Sequence, residues 1–90
     1  MPPARVLDED AARFGALVAR LRNERGWSLA DLSRGSGMNA SWLSVLERGL
    51  NMPSLATILK LAGVFGVEAA ELVRQVEQAR HVPLVPAAKS

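Results

Sequence analysis

Seven basic side chains are concentrated in the middle of the chain, where they could bind a polyanion. The stretch from Arg13 to Lys60 contains only three acidic residues and so carries about four excess positive charges. A surface of this sign attracts phosphate groups. An ordinary solvated surface with uneven charge fits the same distribution, so both interpretations stay open. The basic residues are Arg13, Arg20, Arg22, Arg25, Arg34, Arg48 and Lys60.

Other kinds of chemistry lack the residues they need. The chain has no cysteine and a single histidine, His81, which excludes cysteine-based zinc sites and a catalytic triad. The glycines at 35 and 37 have no neighbouring lysine to form a phosphate-cradling loop. The acidic run at 8–10 fits a helix start better than a metal cluster. No apolar run approaches the roughly 20 residues that span a bilayer. We therefore expect a cytoplasmic protein that is not an enzyme and has no cofactor, metal or small-molecule effector.

Apolar spacing and capping residues predict an all-α chain of five short helices. The expected N-terminal signals are Asp8 or Asp10, Ser28, Asn39, Ser54 and a start near Glu68. On the fourth helix the residues predicted to face the core are Leu55, Ile58, Leu59, Ala62 and Phe65. We expect residues 1–9 to be a flexible lead-in, residues 10–80 to form one domain, and residues 81–90 to be an extended or disordered tail, because Pro83 and Pro86 oppose a helix there.

The stretch from Leu29 to Arg48 predicts two short helices joined by a tight turn, which is the helix-turn-helix arrangement. Ser33 is small enough to let the second helix approach the first. Gly37 can take the positive φ that a chain reversal needs. Leu43 and Leu46 hold the second helix to the core, which leaves its other face free to enter a major groove.

Residues 14–72 resemble the Cro/lambda-repressor-like family, also called the Xre family. The parts that carry the resemblance are Phe14–Val18, Leu21–Ser28, Ala30–Leu32, Gly37–Asn39, Leu43–Ser44, Leu46–Gly49, Pro53–Ser54, Leu59–Ala62 and Gly66–Val67. The resemblance implies a five-helix lambda-repressor-like DNA-binding domain of bacterial or phage type, associated with the nucleoid, with the helix-turn-helix at helices 2 and 3.

The resemblance also implies roles for single residues. Helix 3 would be the recognition helix, with base-facing side chains Ala40, Ser41, Ser44 and Val45. The phosphate contacts would come from Asn39, Trp42, Arg48, Asn51 and Ser54, and from the backbone amides of Ser28 and Leu29, where a helix N-terminus can hold an anion. Arg22 and Glu47 match a structural ion pair of the family. The alternative for that pair is two independent solvated charges.

The chain departs from the family pattern at several positions. Leu29 stands where a glutamine is usual, and Leu50 where a lysine or arginine is common. Trp42 could donate its indole N–H to a phosphate or pack on helix 2. Because Ala40 and Val45 offer no hydrogen bonds, we expect specificity to depend on DNA shape and on arginines such as Arg48 and Arg34.

Helix 5 carries apolar residues that a small domain does not readily cover. Leu72, Val73 and Val76 are therefore predicted to form a homodimer interface. Ordinary packing against helices 1 and 4 is the alternative.

Two functions follow. The first is a sequence-specific regulator, a repressor, that binds double-stranded DNA as a homodimer on an inverted repeat. The second is a protein-protein interaction module on the same fold, such as an antitoxin or accessory subunit, with weakened DNA reading. The second rests on residues that are apolar where relatives are often polar, namely Leu29, Ala40, Val45, Leu50 and Met52.

Overall fold

The computed structural model describes residues 9–81, and side chains up to residue 80. It contains five helices: α1 (Glu9–Glu24), α2 (Leu29–Ser36), α3 (Ala40–Glu47), α4 (Leu55–Phe65) and α5 (Ala69–His81). None of these helices is long and apolar enough to cross a membrane. The helices include Glu9 and His81, one residue beyond the predicted domain at each end. The rest of the predicted lead-in and tail, and the predicted cap Asp8, lie outside the described residues. Asp10 is not the cap, because it lies inside α1.

The predicted starts of the middle helices are confirmed. Ser28 and Asp31 form a reciprocal capping box at α2, and the side chains of Asn39 and Ser54 cap α3 and α4. Helix α2 continues through Gly35 and ends at Gly37 in the left-handed conformation with φ 75°. Side-chain oxygens therefore satisfy the free amides of three helix starts, which makes the boundaries readable from sequence.

The core is built mainly from α1, α3 and α4, with Leu32 from α2 and Leu72 from α5. Its fully or nearly buried members include Phe14, Leu17, Val18, Leu21, Leu32, Leu43, Leu46, Leu61, Ala62 and Phe65. The predicted inward face of α4 is partly wrong, because Leu55 and Leu59 are 69% and 54% exposed. The buried stripe instead includes Leu61 and is rotated around the helix. Helix α4 is apolar on nearly every side, so several stripes satisfy the helical period and the pattern could not choose among them.

Candidate nucleic-acid interface

The turn between α2 and α3 is closed by a serine hydroxyl. Ser33 Oγ donates to the carbonyl oxygen of Met38 at 2.5 Å, and the backbone N–H of Met38 donates to Ser36 Oγ at 3.1 Å. The small size of Ser33 was predicted to matter, but its hydroxyl is used as well. These two bonds anchor the residue that precedes the cap of α3, so they fix where α3 begins.

Gly15 sets the distance between α1 and α3. It is buried, and a Cβ atom built on it would lie 2.2 Å from the carbonyl oxygen of Leu46 and 2.8 Å from that of Glu47. Both neighbours are backbone atoms, which cannot rotate away. A glycine is therefore required here for α3 to sit against α1, and no local sequence pattern indicated this.

Arg22 and Glu47 are brought together in a two-pronged ion pair. Arg22 Nε and Nη2 donate to the two carboxylate oxygens at 2.7 and 2.9 Å, and Nη1 donates to the carbonyl oxygen of Trp27 at 2.8 Å. The two side chains are only 15% and 10% exposed. The hydrogen bonds to Glu47 outweigh burial and raise the pKa of Arg22. The pair ties the end of α3 to α1 and to the turn before α2.

Arg25 belongs to the fold rather than to a free basic surface. Its guanidinium donates to the carbonyl oxygens of Leu21 and Phe65 at 3.1 and 2.7 Å. It also lies over the stacked rings of Trp27 and Phe65, 5.7 and 5.1 Å from their centroids. The sequence alone places Arg25 among the polyanion-binding charges, because a contact 40 residues along the chain leaves no local signal.

The remaining basic residues divide into two groups. Arg13, Arg20 and Arg34 form ion pairs with acidic residues three or four positions away on their own helices. Arg48 and Lys60 form no ion pair with any residue from 9 to 80. The Nε of Arg48 bonds to the carbonyl oxygen of Ser44 at 3.3 Å. Of these remaining residues, only Arg48 and Lys60 therefore carry a charge that no acidic residue from 9 to 80 neutralises.

The side chains predicted to face bases share one side of α3. Ala40, Ser41, Ser44 and Val45 lie one helical turn apart in pairs, while Leu43 and Leu46 are fully buried on the opposite side. Ser41 is exposed and the other three are half-buried. Neither serine hydroxyl bonds to a residue in the described range. This side of α3 is therefore free to contact another molecule.

Three of the predicted phosphate contacts are also accessible. Asn39 is exposed, and its Oδ1 accepts hydrogen bonds from the amides of Ser41 and Trp42 at 2.8 and 3.1 Å. Its Nδ2 takes no part in this cap. Arg48 and Ser54 are exposed at the end of α3 and the start of α4. They lie at the two ends of the loop that follows α3.

Two other predicted phosphate contacts are used within the protein. The amide of Ser28 donates to Asp31 Oδ2 at 2.8 Å, so the carboxylate already occupies that N–H. The phosphate contact of the Leu29 amide stays a prediction. The indole Nε1 of Trp42 donates to Oδ1 of Asn51 at 3.1 Å, in the amide orientation that also lets Nδ2 reach the Leu50 carbonyl oxygen at 3.3 Å. Trp42 also packs against the core. Trp42 therefore positions Asn51 instead of reaching a phosphate itself.

Known proteins are similar to this chain in sequence and in fold. The family model of the helix-turn-helix domain matches residues 13–75. The chain belongs to the helix-turn-helix family. Its resemblance to Cro/lambda-repressor-like regulators and its predicted all-α, five-helix class are thereby confirmed.

Relatives of this helix-turn-helix domain are regulators. It is 38% identical over 64 residues to the uncharacterized HTH-type transcriptional regulator y4dJ of Sinorhizobium fredii, covering 71% of this chain and 83% of that protein. Other curated regulators are longer, and the chain spans 21% of one from Mycobacterium bovis. Because the relatives are transcriptional regulators, the expectation that the chain is not an enzyme is confirmed, and it is a DNA-binding regulator by family.

Two solved structures resemble the domain closely. The restriction-modification controller protein C.AhdI from Aeromonas hydrophila is 38% identical with a TM-score of 0.67, over 70% of this chain and 96% of that one. The biofilm regulator SinR, solved in complex with DNA, is 33% identical with a TM-score of 0.62, over 67% of this chain and 97% of that one.

The predicted dimer residues of this domain occupy different environments. Leu72 is fully buried in the core of the monomer, so its assignment to an interface is wrong. Val73 is 50% exposed, and Val76 is half-buried at the edge of the core. Helical geometry explains the split, because Leu72 and Val73 are adjacent residues that point in directions about 100° apart.

The apolar residues that suggested a protein partner do not form one exposed patch. Leu29, Leu50, Ala40 and Val45 are half-buried, and Leu29 packs against the core. Only Met52 is strongly exposed, at 49%. The larger exposed apolar surface consists of Leu55 and Leu59, which were predicted to face the core.

Proposed function

We propose that this domain is a repressor that reads a specific DNA sequence by inserting α3 into the major groove. The observation that carries the proposal is the free outer side of α3, where Ser41 and Ser44 keep unbonded hydroxyls between Ala40 and Val45. The serines would contact base edges, and the alanine and valine would contact thymine methyl groups. Occupation of the operator by α3 would by itself exclude other proteins from that DNA.

Electrostatics supports the same orientation. Asn39, Arg48 and Ser54 flank the free side of α3, so they would contact phosphates on both sides of the groove. Arg48 carries no ion pair with residues 9–80, so its charge is available to a phosphate. Neutralising phosphates releases counterions, and binding would therefore weaken steeply with salt.

The test is a fluorescence-anisotropy titration against a duplex selected from a randomised pool, at two salt concentrations, beside a scrambled duplex. We expect tighter binding to the selected duplex. Arg48→Gln should weaken binding to both duplexes and reduce the salt slope by about 1. Arg74→Gln removes an arginine from α5, away from α3, and is the matched control. Equal binding of the selected and scrambled duplexes would contradict the proposal.

The proposed repressor acts as a homodimer through α5. Val73 and Val76 present an apolar strip there, and a two-fold axis would place two copies of α3 about one DNA turn apart on an inverted repeat. Val73→Glu should convert a dimer into a monomer in sedimentation, because a charge would be buried at the interface. A wild-type chain that stays monomeric at all concentrations would instead assign the strip to a different protein, the second function considered above.

A further inference from the structure

Trp42 uses both of its N–H groups to hold asparagine side chains. Its backbone N–H donates to Oδ1 of Asn39 at 3.1 Å, and its indole Nε1–H donates to Oδ1 of Asn51 at 3.1 Å. Asn39 comes immediately before α3, whereas Asn51 belongs to the loop that follows α3. The start of the helix and the loop after it therefore meet at this one tryptophan.

These bonds decide which way each amide group faces. An asparagine amide has an oxygen that only accepts and a nitrogen that only donates, and a 180° rotation exchanges them. In Asn51 the reverse orientation would place Nδ2 against the indole N–H and Oδ1 against the carbonyl oxygen of Leu50. In Asn39 it would leave the amides of Ser41 and Trp42 without their acceptor. Both asparagines therefore keep Oδ1 turned toward the protein.

Both Nδ2 groups keep hydrogens for an outside acceptor. Asn39 is exposed, and its Nδ2 has no partner among residues 9–80. In Asn51, Nδ2 gives one hydrogen to the carbonyl oxygen of Leu50 at 3.3 Å, and its second hydrogen has no partner in the same range. A phosphate oxygen accepts hydrogen bonds, so two free donors match it, whereas two free carbonyl oxygens would repel it.

We propose that Trp42 is a positioning residue for DNA binding, which fixes Asn39 and Asn51 as uncharged donors to two phosphates of the DNA backbone. This inference rests on the proposed function. Most basic residues of the central stretch form ion pairs within the protein, so uncharged donors supply a larger share of the phosphate binding. Such donors release no counterions, and their contribution therefore does not weaken with salt.

The first test measures the orientation of the Asn51 amide through hydrogen exchange of the Trp42 indole N–H, followed by NMR. The indole N–H of Trp27 bonds to no residue from 9 to 80 and serves as the reference within the same chain. We expect Asn51→Ala to speed the exchange at Trp42, because it removes the acceptor. Asn51→Asp keeps an oxygen there and should keep the exchange slow. An exchange rate that Asn51→Ala leaves unchanged would contradict the proposal.

The second test measures DNA binding by fluorescence anisotropy, with the selected duplex at two salt concentrations. Trp42→Phe keeps an aromatic ring and the backbone N–H but removes the indole donor. We expect it to bind about 5-fold more weakly with an unchanged salt slope, and to have no further effect in an Asn51→Ala background. Full affinity of Trp42→Phe, a reduced salt slope, or an equal loss in both backgrounds would overturn the proposal, the last because the indole would then contact DNA itself.

Asn51→Asp separates the donor from the contact with the tryptophan. Its carboxylate still accepts the indole bond but offers no hydrogen to a phosphate, so it should bind DNA at least as weakly as Asn51→Ala. Gln78→Glu adds the same charge to an exposed position on α5 and should bind like the wild type. Affinity of Asn51→Asp above that of Asn51→Ala would refute the donor role. Failure of the proposed function shows separately, as equal binding of selected and scrambled DNA by the unsubstituted chain.

Discussion

The two sides of α3 are built on opposite principles. The inner side is fixed by fully buried Leu43 and Leu46, by the backbone contact with Gly15 and by the Glu47 ion pair. The outer side has short side chains at Ser41 and Ser44 whose hydroxyls bond to nothing in residues 9–80. The difference shows that one set of residues holds the helix in place, while a separate set is left free to contact a binding partner. Changes on the inner side should therefore alter stability and binding together, whereas changes on the outer side should alter binding alone.

Gly15→Ala should have the largest effect. Its Cβ would meet backbone oxygens of α3 at 2.2 and 2.8 Å, so α1 and α3 must separate and the core beneath them must loosen. We expect the free energy of unfolding to fall by about 3 kcal/mol, at the upper end for overpacked cores, as measured by urea denaturation. DNA affinity should fall with it.

The control is a glycine with open space around it. Gly63 lies inside α4 and has no heavy atom within 4 Å of an added Cβ. Gly63→Ala should raise the free energy of unfolding by about 0.5–1 kcal/mol, since alanine favours a helix interior. Equal responses of the two variants would show that α1 and α3 are not in close contact.

Removal of the inner ion pair should have an effect of similar size. Arg22→Ala leaves Glu47 nearly buried without a partner, and we expect a loss of about 3 kcal/mol in a urea titration. Arg74→Ala, which breaks an exposed pair with Glu71 on its own helix and no other side-chain bond in residues 9–80, should cost less than about 0.5 kcal/mol. A double-mutant cycle of Arg22 and Glu47 that gave no coupling energy would contradict the structure of this pair.

Local features of the chain could be predicted from the sequence, whereas contacts between distant segments could not. The helix boundaries were readable, because Ser28, Asn39 and Ser54 act on amides two or three positions away. The pair of Arg22 with Glu47 was found only through family resemblance. The Gly15 contact and the Arg25 bond to Phe65 had no signal, since each depends on how distant segments pack. Leu55 and Leu59 were wrongly predicted to face the core, because a helix that is apolar on nearly every side has no pattern that identifies its buried face.

The start of α2 gives a pH-dependent prediction of smaller size. Bonds from the backbone and hydroxyl of Ser28 lower the pKa of Asp31. A lowered pKa in the folded state stabilises the fold above the ordinary aspartate value of about 3.9, and this contribution is lost as pH falls through the folded value. Asp31→Asn should therefore flatten the fall in unfolding free energy as the pH is lowered below about 4. Ser28→Ala should weaken the same dependence, and an unchanged acid response in both would refute the assignment.

The outer side of α3 should give the smallest effect on stability and a clear effect on binding. Ser41→Ala removes a hydroxyl that bonds to no residue in the described range, so the free energy of unfolding should change by less than about 0.5 kcal/mol. If the hydroxyl contacts a base edge, affinity for the selected duplex should fall by about 1 kcal/mol, while affinity for scrambled DNA stays constant. Ser44→Ala should lower the affinity for the selected duplex in the same way, through a contact with a neighbouring base pair. A Ser41→Ala chain that lost stability would place the hydroxyl in the fold, and the separation between the two sides of α3 would fail at that residue.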